Sequence, residues 1–213
     1  MNEFLEAFLL TFPAIFSVAN PIGGAFVFQA MVVSRTVAER TVIARRVGLY
    51  SACVLLVALW SGSAILNFFG VSLGAMRCAG GVIIALNAWQ LLNSSDQGKP
   101  LPQSEIADIA FFPLTIPITT GPGTIAVAVA LSASRPRTLD GFAGFFFGMT
   151  AAAVALALMI WITYRSSDRI ARLMGPTGSR TVTRLSAFLL LCIGVQILIT
   201  GVEDVLGPLL ARH

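Results

Sequence analysis

Residues 111–124 read FFPLTIPITTGPGT, a run of three prolines, two glycines and four threonines inside a long apolar segment. A regular membrane helix does not accommodate it. Proline lacks an amide hydrogen and its ring clashes with the preceding turn, so Pro113, Pro117 and Pro122 cannot all lie inside one regular helix. Gly121-Pro122-Gly123 is expected to break it. In hydrocarbon, backbone groups released by a break are tolerated only where protein or a cavity satisfies them, so such a break marks a candidate binding site.

Outward from this stretch the chain is apolar almost throughout. Of its 213 residues 56% are hydrophobic and 11% charged, with a mean hydropathy of +0.85. That composition lies far from soluble usage and predicts an all-α integral membrane protein. Six apolar segments, 4–33, 47–69, 72–93, 107–133, 141–164 and 185–203, each reach or approach the ~20 residues that cross a bilayer. The first and fourth are too long: about 28 residues of straight helix extend about 42 Å, against a hydrocarbon core of about 30 Å. Breaks at Ala19-Asn20-Pro21-Ile22-Gly23-Gly24 and Thr119-Thr120-Gly121-Pro122-Gly123-Thr124, near the membrane midplane, would absorb the excess. The amino-terminal residues carry Glu3 and Glu6 and no base, unlike a cleaved signal peptide, so the first segment is expected to stay.

The two halves match at an offset of 100 residues. Between 7–56 and 107–156 the identities are Ala7/Ala107, Phe12/Phe112, Pro13/Pro113, Gly23/Gly123, Val27/Val127, Ala30/Ala130, Ser34/Ser134, Arg35/Arg135, Gly48/Gly148, Ala52/Ala152, Val54/Val154 and Leu56/Leu156. The punctuating residues are among them, which reads as an internal repeat. Residues 1–93 form the first three-helix unit, 94–106 a polar cytoplasmic linker and 107–213 the second unit. Later the register slips, with Arg77 opening the third span and Arg184 the sixth.

Basic residues set the orientation. Arg35, Arg40, Arg45, Arg46, Lys99, Arg165, Arg169, Arg172, Arg180 and Arg184 fall on one side, and Arg77, Arg135, Arg137 and Arg212 on the other. By the positive-inside rule both termini face outward, and the bases need no nucleic acid to explain them. Three spans per unit is an odd number, so the second unit inserts upside down: an inverted 3+3 repeat, an architecture of secondary transporters. Thr36-Val37-Ala38-Glu39 fits a capping box that starts a helix running into the second span. Arg165, Arg169 and Arg172 share the face of an interfacial helix ended by Gly175-Pro176.

A broken helix exposes the carbonyl end of its first half and the amide end of its second. The amides near Gly23 and Gly123 suit an anion. The carbonyls near Ala19 and Thr120, with the side chains of Asn20, Thr119, Thr120 and Thr124, suit a cation or ammonium. A small zwitterion satisfies both. The predicted substrate-binding set is therefore Asn20, Pro21, Gly23, Gly24, Thr119, Thr120, Gly121, Pro122, Gly123 and Thr124, with the glycines admitting the ligand to the backbone and Asn20 facing Thr120 at equivalent positions. No Asp, Glu, Lys, Arg or His lies inside a span away from its ends. A charged substrate side chain would find no partner, and neither a metal centre nor a membrane protease has its constellation. Asp108, Glu203 and Asp204 sit at span ends and read as interfacial charges before proton couplers.

The remaining features have plain structural readings. Cys53, Cys78 and Cys192 read as small buried hydrophobes. Gly144-Phe145-Phe146-Phe147-Gly148 has small-xxx-small spacing and reads as a helix-packing face. Gln29, Asn67, Asn87, Gln90, Thr150 and Gln196 should bond between helices, with one or two lining a cavity.

Asn20-Pro21-Ile22-Gly23, Phe112-Pro113-Leu114-Thr115-Ile116-Pro117 and Gly121-Pro122-Gly123-Thr124, in a six-span chain of this size, resemble the MarC family, also called the neutral amino acid transporter family. The resemblance covers essentially the whole chain. It implies a six-span bundle that moves small neutral amino acids such as glycine, alanine or threonine, with direction and coupling ion open. The expectation is a secondary transporter, an exporter before an importer, in the bacterial inner membrane, with no cofactor. Coupling to H+ or Na+ and a homo-oligomer are left open. An ion channel using the carbonyl-rich breaks as a filter, or a membrane scaffold using them for packing, are the alternatives.

Overall fold

A computed structural model describes residues 3–93, 105–133 and 139–210. Most of the predicted linker, with Lys99, lies outside the described residues, as do Arg135, Arg137 and Arg212. Helices α1 (Glu3–Ala19), α2 (Pro21–Met31), α3 (Val37–Phe68) and α4 (Leu73–Asn93) make the first half. The second holds α5 (Ile106–Ile109), a wide irregular coil over Ala110–Thr119, α6 (Pro122–Ser132), α7 (Leu139–Arg165) and α8 (Ser167–Leu210). The described residues contain no strand. Five helices are long and apolar enough to cross a membrane, and six if Ile106–Thr119 and Pro122–Ser132, bent by 67°, are one span.

Local chemistry places several boundaries. Thr36 caps α3: its Oγ1 accepts from the Glu39 amide at 3.3 Å while the Glu39 carboxylate accepts from the Thr36 amide at 2.8 Å, the reciprocal box expected from the sequence. The helix it starts runs unbroken through the span. Gly175 interrupts α8 with φ 66°, a left-handed conformation that favours glycine, so the arginine-bearing part ends where Gly175-Pro176 predicts.

The core runs along the middle of the bundle, from Ile15 through Phe28, Leu55, Leu59 and Leu114 to Leu156 and Ile160. Close approach depends on small residues. A Cβ on Gly148 would crowd Ala7 at 2.7 Å and collide with the Phe4 carbonyl, and one on Gly144 would meet Glu3 and Phe4, so the Gly144/Gly148 face does seat α1 on α7. In the α4–α8 pair, Gly81 meets the Leu198 backbone and Gly194 the Ala85 backbone, each at 2.6 Å from the added Cβ.

Contacts between the halves come in exchanged pairs. α1 packs on α7 and α3 on the 110–119 coil; α3 packs on α6 and α2 on α7; α4 packs on α6 and α2 on α8; α3 meets α7 and α4 meets α8.

Two expectations are corrected. Cys53 and Cys192 are exposed and Cys78 half-buried. Cys78 faces α8, its Sγ 4.0 Å from the Leu198 carbonyl, but Cys53 and Cys192 sit on outward faces, where lipid is as apolar as a core, so hydrophobicity alone does not mark the buried side. Asn67, Asn87 and Gln90 are also exposed rather than bonded between helices. Asn67 and Gln90 lie in the last turns of α3 and α4, where interfacial water can solvate them, and Asn87 lies about one turn before Gln90 on an outward face. Thr150 behaves as expected, its Oγ1 accepting from the Trp60 indole of α3 at 3.2 Å.

Candidate functional site

The first interruption spans one residue. α1 ends at Ala19, Asn20 takes a left-handed conformation (φ 44°, ψ 62°), and Pro21 opens α2. Asparagine tolerates this region better than most residues, and proline at the first helical position loses no bond. The Asn20 amide still donates to the Phe16 carbonyl at 2.9 Å, and its Oδ1 folds forward to accept from the Gly23 amide at 3.1 Å. A Cβ on Gly23 would sit 2.5 Å from Asn20 Nδ2, so glycine makes room for the cap. The chain thus satisfies its own break, and Glu3–Met31 reads as one apolar span.

The second interruption is longer. Phe112 and Ile116 are extended, at ψ 123° each, as the residue before a proline prefers; the peptide bonds to Pro113 and Pro117 are cis. Between them the coil is wide. The Thr120 amide reaches back to the Thr115 carbonyl at 2.8 Å. The Thr115 and Thr119 hydroxyls donate to the Ala110 and Leu114 carbonyls at 2.6 Å, each folding back five residues along the coil. Gly121 then caps α6 with extended backbone and no side chain to accept from the first amides. It must be glycine, because a Cβ would collide with the Pro117 carbonyl.

This geometry shifts the register between the halves. α2 opens at Pro21 and α6 at Pro122, each eleven residues long, so Asn20 corresponds to Gly121 and not to Thr120. The Gly23/Gly123 identity that fixed the offset of 100 falls at the third residue of one helix and the second of the other. The wide coil accounts for the difference, since it uses an extra residue per turn.

One side chain joins the two interruptions. Tyr164 of α7 is fully buried, stacks on Phe28 of α2 with centroids 4.7 Å apart, and places its hydroxyl 2.8 Å from Thr119 Oγ1. The single Thr119 proton is used on the Leu114 carbonyl, so Tyr164 donates and Thr119 accepts. The same hydroxyl oxygen lies 2.5 Å from where a Gly24 Cβ would stand. Gly24 and Thr119, from different halves, therefore meet at one tyrosine oxygen. Over the other amide end, Ile84 of α4 occupies the space a Gly123 side chain would need. The room beside Gly23, Gly24, Gly121 and Gly123 is taken in this conformation by Asn20, Tyr164, the Pro117 carbonyl and Ile84 respectively.

Thr119, Thr120, Gly121, Gly123 and Thr124 are buried, as are Pro21 and Gly23, while Asn20 and Gly24 are half-buried and Pro122 exposed. Thr120 Oγ1 is buried without a hydrogen-bond partner among the described residues. Thr11 Oγ1, Ser51 Oγ and Trp161 Nε1 share that condition, but Thr11 and Ser51 lie within regular helices, where such hydroxyls can turn to a carbonyl one turn back. Thr120, at φ −115° and ψ 65°, stands outside any helix.

Two cavities flank the region, and none of the ten predicted residues lines either. One, of about 270 Å³, lies among α1, α4, α6 and α8, walled by Ser17, Val18, Ala126 and Gln196, with Arg77 at its edge paired to Asp204. The other is an open basin of about 900 Å³ with Gln29 and Arg165 on its wall, each next in sequence to a residue of the Phe28–Tyr164 stack. Gln196 and Gln29 thus line cavities, and Asn87 lines neither. No group of three or more His, Cys, Asp or Glu side chains among the described residues could hold a metal. Tyr164 and Ile84 were absent from the sequence-based set. Tyr164 carried a signal, a phenol at the end of an apolar span that needs a partner once buried.

Comparison with known proteins agrees with a membrane protein. The family described as "MarC family integral membrane protein" matches residues 5–206. The chain is 33% identical over 218 aligned positions to the UPF0056 inner membrane protein MarC of Salmonella paratyphi A, covering 97% of this chain and 98% of that one. Proteins of the same name in Citrobacter koseri and Escherichia coli are 32% and 31% identical over the same shares. No solved structure matches. With a match across nearly its whole length, this chain belongs to the MarC family of integral membrane proteins.

Proposed function

We propose that this protein is a secondary transporter for small neutral amino acids such as glycine, alanine or threonine, an exporter before an importer, that alternates access around the two interruptions. The observation that carries the reading is the meeting of both interruptions at Tyr164 through Thr119, next in sequence to Thr120, whose buried hydroxyl has no partner among the described residues. An orphaned buried hydroxyl costs on the order of 1 kcal/mol, a cost that a transient ligand would offset. The uncapped amides of Gly123 and Thr124 suit a substrate carboxylate, and the Tyr164 oxygen, its proton already donated, can accept from an ammonium group.

The exchanged contact pairs support an inverted repeat, in which α1–α4 and α5–α8 rock against each other. One cavity touches residues just before the first interruption and just after the second; the basin touches residues beyond Phe28 and Tyr164. In the proposed cycle this conformation is closed at both glycine pairs, and movement of Tyr164 or Ile84 admits substrate from one side at a time. The curated relatives named above are inner membrane proteins, and we place this chain there too, with both termini outward by the positive-inside rule.

Flux of labelled glycine or alanine in proteoliposomes tests the proposal. Exchange above that of empty vesicles is expected, and imposed H+ or Na+ gradients in the same vesicles identify the coupling ion. Absence of exchange in either direction, with correctly inserted protein, removes the reading.

A further inference from the structure

The open basin is built for an anion rather than for the neutral substrate above. Four arginines, Arg40, Arg165, Arg169 and Arg172, line it together with one carboxylate, Asp168. That carboxylate is already engaged by Arg40 at 2.6 Å. Arg40 is otherwise spent on the backbone, with its guanidinium donating to the Val33 and Arg35 carbonyls at 2.6 and 2.8 Å. It is a clamp that holds the loop before α3 and fixes Asp168.

Arg165, Arg169 and Arg172 have no carboxylate partner among the described residues. Arg165 is held with its guanidinium 5.9 Å from the Trp161 ring centroid, and Arg172 Nε donates to the Asp168 carbonyl at 3.2 Å. Both contacts orient the forks while leaving donors free. Two oriented guanidinium groups, with Arg169 between them in sequence and lining the same basin, and with the local acid neutralised elsewhere, supply the donors that a phosphate accepts.

The neighbouring surface says where the phosphate comes from. On the same short helical stretch, 167–174, Leu173 is 81% exposed and Met174 is also exposed, an apolar edge beside a cationic wall. A helix with that division lies in the membrane interface, its apolar side chains among acyl chains and its bases at the headgroups. Basic pockets between membrane helices on the cytoplasmic side are suited to anionic headgroups.

We propose that Arg165, Arg169 and Arg172 form a binding site for the phosphate of an anionic phospholipid headgroup, with Leu173 and Met174 against its acyl chains. This site is distinct from the two interruptions and stands whether or not the chain moves amino acids.

The test uses purified full-length protein in a neutral detergent. Thermal unfolding is followed with added phosphatidylglycerol, with phosphatidylcholine of the same chains, and with inorganic phosphate, for the wild type and for an Arg169→Gln/Arg172→Gln double variant. Phosphatidylglycerol should raise the unfolding temperature saturably, with apparent affinity roughly tenfold weaker in the variant, while phosphatidylcholine has little effect. Native mass spectrometry should show phosphatidylglycerol retained by the wild type and lost from the variant. Equal shifts from both lipids, or undiminished binding by the variant, overturn the site. A full shift from inorganic phosphate alone overturns its assignment to a lipid.

Discussion

The interruptions at Asn20 and at Thr119–Gly121 begin with the same ingredients, a proline opening a helix and glycines around it, and end differently. The first closes on itself: Asn20 turns left-handed, caps Gly23, and lets α1 and α2 continue as one span. The second bends by 67° and caps its new helix with a glycine that has nothing to offer the amides. One break is chemically complete, and the other leaves amides without a side-chain cap and, at Thr120, a hydroxyl with no partner among the described residues. Their lids are exchanged, since Tyr164 of the second half covers Gly24 and Ile84 of the first half covers Gly123. The same punctuation thus gives two local structures that differ in how many of their polar groups the chain itself satisfies.

The largest test of this difference sets Gly121→Ala against Gly23→Ala. At Gly121 the added methyl meets the Pro117 carbonyl, a backbone atom with no rotamer to change, whereas at Gly23 it meets the tip of the Asn20 side chain. Gly121→Ala should destabilise by about 3 kcal/mol and Gly23→Ala by about 1 kcal/mol, read from reversible unfolding in detergent. Equal losses would mean that the first break is as rigid as the second.

Next in size is Asn20→Ala, which removes the cap and forces a residue with a Cβ and no local hydrogen bond into a left-handed conformation. A loss of about 2 kcal/mol is expected. Asn20→Gly, which keeps the conformation and loses only the side-chain bond, should recover most of it. If Gly is no better than Ala, the cap and not the backbone conformation dominates the first break. Tyr164→Phe should cost about 1 kcal/mol. It keeps the stack on Phe28 and removes only the donation to Thr119, so a much larger loss would show that the phenol ties more than these two elements.

Much of this contrast could be read from residue types, and the part that could not is long-range. Proline and glycine positions announce both interruptions, Thr36 and Glu39 announce their box, and Gly175 announces the turn in α8, because each acts through its own few neighbours. The pairing of Tyr164 with Thr119 depends on how α7 packs across the other half, and no local pattern encodes it. The register of the second break escaped for a related reason. Gly23 and Gly123 align in the sequence, but the wide coil before α6 consumes an additional residue, and only the hydrogen-bond ladder shows which residue caps. Hydrophobicity places Cys53 and Cys192 in the membrane without choosing between core and lipid.

The smallest expected effect separates a structural second break from a functional one. In Thr120→Val a methyl replaces a hydroxyl that has no partner among the described residues, so shape is kept while the desolvation cost of a polar group is removed. If the break is only a packing device, the variant should be neutral or more stable by up to about 1 kcal/mol, with flux unchanged. If the hydroxyl awaits a substrate, stability should rise by the same amount while flux falls and the stabilisation by added amino acid shrinks. A polar group kept at a cost in the resting protein and repaid on binding predicts those opposite signs. Stability and flux falling together would instead mean that Thr120 has a partner in the folded protein and that the second break is as complete as the first.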